Sequence, residues 1–184
     1  FSLLHDLPLH RGALRAVAYH PPTRQLASSG TDGQVFHWAL AGQPRALPSP
    51  PMDAQDLAFA PAGDILVGSG WFNLFRWQLA DASLAVLPTA HRGIVKSISF
   101  DRDGRQLASI GRQTDSAVYL LDAQTGEVAQ RFQPHELCGT AVRLSPDGRY
   151  LASTSDDANV HIWDLRNLLP ERVFYNSGTA DERR

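Results

Sequence analysis

The sequence has almost no cysteine and almost no lysine. Cys138 stands alone among 184 residues, so no disulfide can form within the chain and no cysteine-rich metal site can be assembled. Its place beside a predicted inner strand marks it as a buried, inert thiol. Lys96 is the single lysine among 17 basic residues, which face 19 acidic ones for a formal net charge of −2. With an estimated pI near 6.4, the chain lacks the basic footprint expected of a nucleic-acid binder. No apolar run approaches the roughly 20 residues of a membrane helix, which argues against membrane insertion. No secretory leader is visible, and the first residue is Phe1 rather than methionine, as in a processed or truncated start. No compartment is encoded, and the cytoplasm is only marginally favoured. At 20.2 kDa the chain can bury a sizeable core without disulfide or metal staples.

What is present is a repeat. From His91 to Asp122 an apolar alternation (Val95, Ile98, Phe100) leads into the turn Asp101-Arg102-Asp103-Gly104. Leu107-Ala108-Ser109 follows, then a polar turn ending at Asp115, then Val118 to Leu121. Three short β-prone runs separated by turn clusters predict an antiparallel meander. None fits a helix period.

The unit occurs four times. One copy has His10, Leu14, Val17 and Tyr19, then Leu26-Ala27-Ser28, Asp32-Gly33 and Val35 to Trp38. Another has His135, Val142 and Leu144, the turn Ser145-Pro146-Asp147-Gly148, Leu151-Ala152-Ser153, Asp157 and Val160 to Asp164. A weaker copy runs through Leu57, Phe59, Leu66-Val67-Gly68 and Leu74 to Trp77. The matched positions Val17, Leu57, Ile98 and Val142 step by 40, 41 and 44 residues, the period of a four-stranded propeller blade.

These residues make the chain similar to WD40-repeat proteins, with Trp163-Asp164 its one intact Trp-Asp dipeptide. The resemblance implies an all-β propeller with four recognisable four-stranded blades, read as part of a larger seven- or eight-bladed ring. Self-association and a closed four-bladed ring are the alternatives. Repeat 1 is placed at about 5–45, a degenerate repeat 2 at 46–85, repeat 3 at 86–130 and repeat 4 at 131–175, before a polar tail at 176–184. The resemblance further implies that a His, a Ser, an Asp and a Trp are hydrogen-bonded within each blade. The sets are His10, Ser28, Asp32 and Trp38; His91, Ser109 and Asp115, with Leu121 replacing the Trp; and His135, Ser153, Asp157 and Trp163. In the second copy Pro50 stands for the His and Trp71 for the Asp. Arginine in place of lysine suggests a GC-rich bacterial genome.

Outer strands are expected at 82–88 and 127–132, and Arg172 to Tyr175 is a further β-prone piece. Residues 1–9 sit where the family has an outer strand. Between the first two copies, Pro44, Pro48, Pro50 and Pro51 lack a ladder donor and predict a short or irregular outer strand. His20-Pro21-Pro22-Thr23 lacks the glycine of the equivalent turns and is expected to turn differently.

His, Ser and Asp also make hydrolytic triads, but a nucleophile is needed once and these sets recur. A buried polar network is the better explanation. The seven histidines contain no His-x-x-x-His pair, so no metal is expected. His161 aligns with Phe36, Phe75 and Tyr119, a row expected to pack between blades. Gly68-Ser69-Gly70 and Gly111 match no phosphate loop, and no cofactor is expected. Trp71-Phe72 is the departure that could matter for function. Two aromatics at a loop tip can anchor a partner, although the favoured reading has Trp71 filling the space left when Pro50 replaced the His. Arg11 and Arg92, with Arg15 and Lys96, would give that face a basic margin. The expected function is a non-catalytic scaffold, docking or sensor module. Its partners would be proteins or other domains of its own chain. The alternative is a propeller enzyme, of hydrolase or quinone-dependent dehydrogenase type, whose active-site residues lie in other blades. Ala16, Ala18, Ala58, Lys96, Ser97, Ser99, Ala141 and Arg143 on the inner strands include no carboxylate.

Overall fold

The computed structural model describes residues 3, 6–113 and 115–167. Four antiparallel sheets follow one another along the chain, each a meander whose strands pair in sequence order. Blade 1 consists of β1 (Leu14–His20), β2 (Gln25–Gly30), β3 (Val35–Ala39) and β4 (Arg45–Ala46). Blade 2 is β5 (Asp56–Phe59), β6 (Ile65–Ser69), β7 (Asn73–Gln78) and β8 (Ser83–Pro88). Blade 3 is β9 (Ile94–Phe100), β10 (Gln106–Arg112), β11 (Val118–Asp122) and β12 (Val128–Phe132). Blade 4 shows β13 (Gly139–Leu144), β14 (Tyr150–Ser155) and β15 (Val160–Asp164).

The expected outer strands are β8 and β12. The proline-rich stretch leaves blade 1 with only the two residues of β4. Residues 6–9 join no strand. Blade 4 has three strands among the described residues; the β-prone piece at 172–175 and the polar tail at 176–184 lie outside them.

The inner-to-second-strand turns share one device. Gly63, Gly104 and Gly148 take positive φ of 74°, 71° and 68°, and Arg24 takes the same place in blade 1 at 54°. The amide of each donates to the carbonyl three residues back. The turn without glycine therefore has the same geometry, and a side chain is forced into the left-handed region.

A β-bulge recurs in three inner strands. Pairing skips Arg15 between Leu14 and Ala16, Lys96 between Val95 and Ser97, and Thr140 between Gly139 and Ala141. The sequence marks it: Leu14 to Val17 and Val95 to Ile98 are three residues apart, one out of phase with strict alternation.

The blades pack face to face, a small face against a large one. Ala27 and Val35 of blade 1 meet Leu57, Leu66, Phe75 and Trp77 of blade 2. Val67 and Leu74 of blade 2 meet Ile98, Leu107, Tyr119 and Leu121 of blade 3. Ala108 and Val118 of blade 3 meet Val142 and Leu151, flanked by Trp163, of blade 4. Phe75 and Tyr119 thus lie between blades, as their shared place in the repeat requires. The inner strands pack in the order β1, β5, β9, β13, with no comparable packing of β13 on β1 among the described residues. The four blades of this β-propeller form an arc that is open between blades 4 and 1.

Polar bonds link the inner strands. Asp56 accepts from Ser97 Oγ and the Ile98 amide, both at 3.0 Å, and Arg143 donates to Ser97 Oγ at 2.9 Å. The Leu144 amide donates to Ser99 Oγ at 3.0 Å. This corrects the expectation that the inner strands carry no carboxylate: β5 begins one residue earlier than the apolar run suggests, because Asp56 pairs with Ser69. A second correction concerns Cys138, which is half-buried rather than buried, because it sits in the loop preceding β13.

Candidate functional site

Three of the four blades build the same arrangement from a His-bearing loop. His10 Nδ1 lies 3.0 Å from Asp32 Oδ1 and its Nε2 lies 2.9 Å from Ser28 Oγ. His91 makes these contacts with Asp115 and Ser109 at 2.9 and 2.8 Å. His135 makes them with Asp157 and Ser153 at 3.0 and 2.7 Å. An ionised carboxylate can only accept, so Nδ1 of the neutral ring carries the proton and Nε2 accepts from the serine hydroxyl. Each carboxylate also accepts two backbone N–H groups: Arg11 and Gln34 at Asp32, Arg92 and Ala117 at Asp115, Glu136 and Asn159 at Asp157. The Asp thereby fastens the loop before the inner strand to the turn after the second strand.

The tryptophans do not join these sets, contrary to what the resemblance implied. Trp38 pairs across from Leu26 and Trp163 across from Leu151, two positions away from the serine. Opposite the serines stand Phe36, Tyr119 and His161. Phe36 and Tyr119 meet the blade histidine edge-on at 5.0 and 4.7 Å between centroids, and His161 stacks on His135 at 4.0 Å. That is why Leu121 in place of Trp leaves the His91 set intact. A ring four residues after the Asp was the available sequence signal.

The Asp–His–Ser connectivity matches that of a hydrolytic triad, but solvent access does not. Ser109 is 0% exposed and Ser153 1%, so a substrate carbonyl cannot reach either Oγ. The polar groups satisfy one another and hold the blade. Among the described residues no group of three or more His, Cys, Asp or Glu is placed to hold a metal ion, and no helix is long and apolar enough to cross a membrane.

Burial on its own would raise the Asp32 carboxyl, but the His10 hydrogen bond and the Arg11 and Gln34 amides outweigh it and hold the pKa at about 2. Asp157 is held at about 2 against burial by the Asn159 and Glu136 amides and by His135. Asp115 is lowered in the same way, chiefly by His91. The native state therefore binds fewer protons than the unfolded chain, whose carboxylates titrate near the ordinary value of about 3.9. The stability these groups contribute is complete above about pH 4 and is lost as the pH falls through 2. The urea midpoint should be level from pH 7 to 5 and drop steeply from 4 to 2. A midpoint unchanged down to pH 2 would show that the carboxylates contribute nothing to stability.

Blade 2 lacks the polar set. Gly68 stands where the others have serine, and a Cβ there would meet Trp77 at 3.0 Å and Ala54 at 3.1 Å. Trp77 and Phe75, both 0% exposed, fill the vacated space, and Trp77 Nε1 donates to the Pro48 carbonyl at 2.9 Å. Trp71 is therefore not the filler. It stays half-exposed, forms a β-bridge with Ile94 and, among the rings of the described residues, meets only Phe72, at 5.9 Å between centroids.

Phe72 is the most constrained residue of this tip. Its φ is 62°, a left-handed conformation costly for a bulky residue. The Phe72 amide donates to the Gly93 carbonyl at 3.0 Å, and its carbonyl accepts from the Thr89 amide and hydroxyl at 2.9 and 2.8 Å. The side chain nevertheless remains 46% exposed. Both aromatics are thus pinned beside the His91-Arg92-Gly93 loop. Arg11 and Arg92 are exposed and Lys96 half-exposed, and none of these side chains is hydrogen-bonded among the described residues. Arg15 is tied to Asp53 at 2.9 Å, so it does not contribute free charge.

Short antiparallel sheets, inner strand first, arranged radially and fastened by a His–Asp contact in three of the four blades, define a β-propeller of the WD type. Comparison with known proteins agrees. The family model "WD domain, G-beta repeat" matches residues 1–39 and 126–164, and the chain belongs to the WD40-repeat family. It is 29% identical over 181 residues to the nuclear distribution protein PAC1 of Arthroderma benhamiae, covering 91% of this chain and 39% of that protein. The WD repeat-containing protein SL1-17 of Schistosoma mansoni is 30% identical over 169 residues, covering 89% and 54%. The poly(A)+ RNA export protein of Schizosaccharomyces pombe is 32% identical over 139 residues, covering 68% and 39%. The chain thus spans about two-fifths to a half of the length of these relatives. They are fungal and animal, and the bacterial origin suggested by the scarcity of lysine finds no support in them.

Proposed function

We propose that the chain is a non-catalytic WD40 propeller module that scaffolds an assembly, docking a protein partner, or another domain of its own chain, on the face bearing the His loops. The pinned pair Trp71-Phe72 carries this reading. A half-exposed aromatic held in an unfavourable backbone conformation by three hydrogen bonds is preorganised, so little conformational entropy is lost on contact. Arg92, adjoining the Gly93 that holds Phe72, supplies charge at the rim, and Arg11 does so one blade further. The relatives named for nuclear distribution and RNA export suit a module working within larger assemblies. The repeat limits at about 45, 85 and 130 keep each docking loop within one unit.

The propeller-enzyme alternative has a carboxylate to draw on in Asp56, but both of its oxygens are occupied. Oδ1 accepts from the Leu57 amide, and Oδ2 from Ser97 and Ile98.

The test uses two variants. Trp71→Ala should abolish capture of the partner while leaving stability within about 1 kcal/mol, the range of a surface change. Phe72→Gly removes the ring but suits the positive φ, so it should weaken capture with no loss of stability. Undiminished capture by both variants, or unfolding of Trp71→Ala, would overturn the assignment.

A further inference from the structure

The prolines between blades 1 and 2 do more than shorten an outer strand. The ladder ends at Ala46, and the chain runs on as Leu47-Pro48-Ser49-Pro50-Pro51-Met52. Proline fixes φ at about −65° and pushes the residue before it into extended geometry. Leu47, Ser49 and Pro50 each precede one. Burial along the stretch has a period of three. Leu47 and Pro50 are buried, and Pro44 and Asp53 are half-buried at the same interval. Arg45, Ala46, Pro48, Ser49, Pro51 and Met52 are all exposed. Three residues per turn is the repeat of a polyproline II helix. One edge of this helix is held by the blades. Leu47 lies in the core with Val35 and Trp77, and its amide donates to the Val35 carbonyl at 2.8 Å. The Pro48 carbonyl accepts from Trp77 Nε1 at 2.9 Å. The other two edges face solvent, one with Arg45, Pro48 and Pro51, the other with Ala46, Ser49 and Met52.

We infer that this ridge docks a partner protein through an SH3-type domain, whose aromatic-lined groove takes polyproline II segments. A three-sided helix fits a groove with two of its edges and leaves the third outside. Here the third edge is the one that the blades already hold. Pro48 and Pro51 have the Pro-x-x-Pro spacing that puts both rings on one edge, and Arg45 stands three residues before Pro48 on the same edge. Arg45 donates through Nη2 to the Leu79 carbonyl at 2.5 Å, and no other of its N–H groups is engaged among the described residues. A guanidinium has five such donors, so the remainder can meet a carboxylate at the end of the partner's groove. Because the blades fix the segment before contact, little conformational entropy is lost on binding. The ridge lies between two described blades, away from the open faces of blades 1 and 4. It goes beyond docking through Trp71-Phe72 and uses neither residue.

The experiment measures binding of the 184-residue chain to an array of purified SH3 domains, with WW domains and a free peptide of residues 43–53 alongside. The chain should bind members of the SH3 array with a micromolar Kd. Arg45→Glu and Pro51→Ala should each raise that Kd about tenfold or more. Pro48→Ala should do the same, since alanine keeps the carbonyl that Trp77 uses. All three residues are exposed, so each variant should keep the urea midpoint of the parent, which separates lost binding from unfolding. Capture of the free peptide but not of the chain would overturn the inference and mark the prolines as a structural feature of the blade alone. Binding to no SH3 domain, binding to WW domains only, or binding unchanged by all three substitutions would overturn it too. Trp71→Ala should leave SH3 binding unchanged, so a failure here and a failure of the docking test are told apart.

Discussion

Truncating Trp77 to alanine is expected to cost about 4 kcal/mol, within the range for removing a buried tryptophan from a core. The ring is fully buried between blades 1 and 2 among Ala27, Val35, Leu57, Leu66 and Phe75. It also takes the place of the polar set that blade 2 lacks. Two losses add: the cavity left by the indole, and the Pro48 carbonyl left without its Nε1 donor. Trp38→Ala is the control. It deletes the same residue at the equivalent position, but on the open face of blade 1, and should cost far less in a single chain. Urea unfolding of both variants measures the difference. A Trp77→Ala cost below about 1 kcal/mol would mean that blades 1 and 2 are not packed around this ring.

Asp115→Ala is expected to be nearly as damaging, at about 3 kcal/mol. The change removes one acceptor and leaves three donors, His91 Nδ1 and the Arg92 and Ala117 amides, in a site where His91 is 3% exposed and Asp115 8%. Each buried donor left unpaired costs on the order of 1–3 kcal/mol, although loop relaxation will recover part of the sum. Asp115→Asn keeps a carbonyl acceptor and should cost less. Denaturant titration at pH 6 gives the magnitude, and the variant should also lose part of the drop in stability between pH 4 and 2. If alanine and asparagine proved equally mild, the network would be decorative rather than structural.

Much of this was legible in the chain. Short β-prone runs with glycine or Asx at regular offsets define strands and turns through local chemistry, and the repeat of about 40 residues groups them into blades. The resemblance to WD40 repeats implied the polar sets, whose His and Asp lie 22 residues apart in blades 1 and 4 and 24 in blade 3. The bulge at Arg15 and Lys96 was read over as plain alternation, although the three-residue intervals from Leu14 to Val17 and from Val95 to Ile98 mark it.

Other features were hidden because they depend on distances between residues far apart in sequence. Trp71 looked like the filler of the space left where Pro50 replaces the His, yet Trp77 and Phe75 take that space. Trp38 and Trp163 looked like members of the polar sets because the resemblance to WD40 repeats implied it. The register instead puts Phe36, Tyr119 and His161 opposite the serines. Asp56 falls outside the apolar run that starts at Leu57, and only its pairing with Ser69 places it in β5.

The sequence by itself determined the all-β class, the four units and their turns, and its resemblance to WD40 repeats implied the three His–Ser–Asp sets. Periodicity, turn chemistry and fixed offsets are properties of neighbours along the chain. Only the tertiary structure decided that the serines are out of reach of substrate, that Phe72 is pinned and exposed, and that the faces of blades 1 and 4 are left open. Burial depends on which blade stands next to which, and identical residues, Val17 and Val142 or Val118 and Val160, differ only in whether a neighbouring blade covers them.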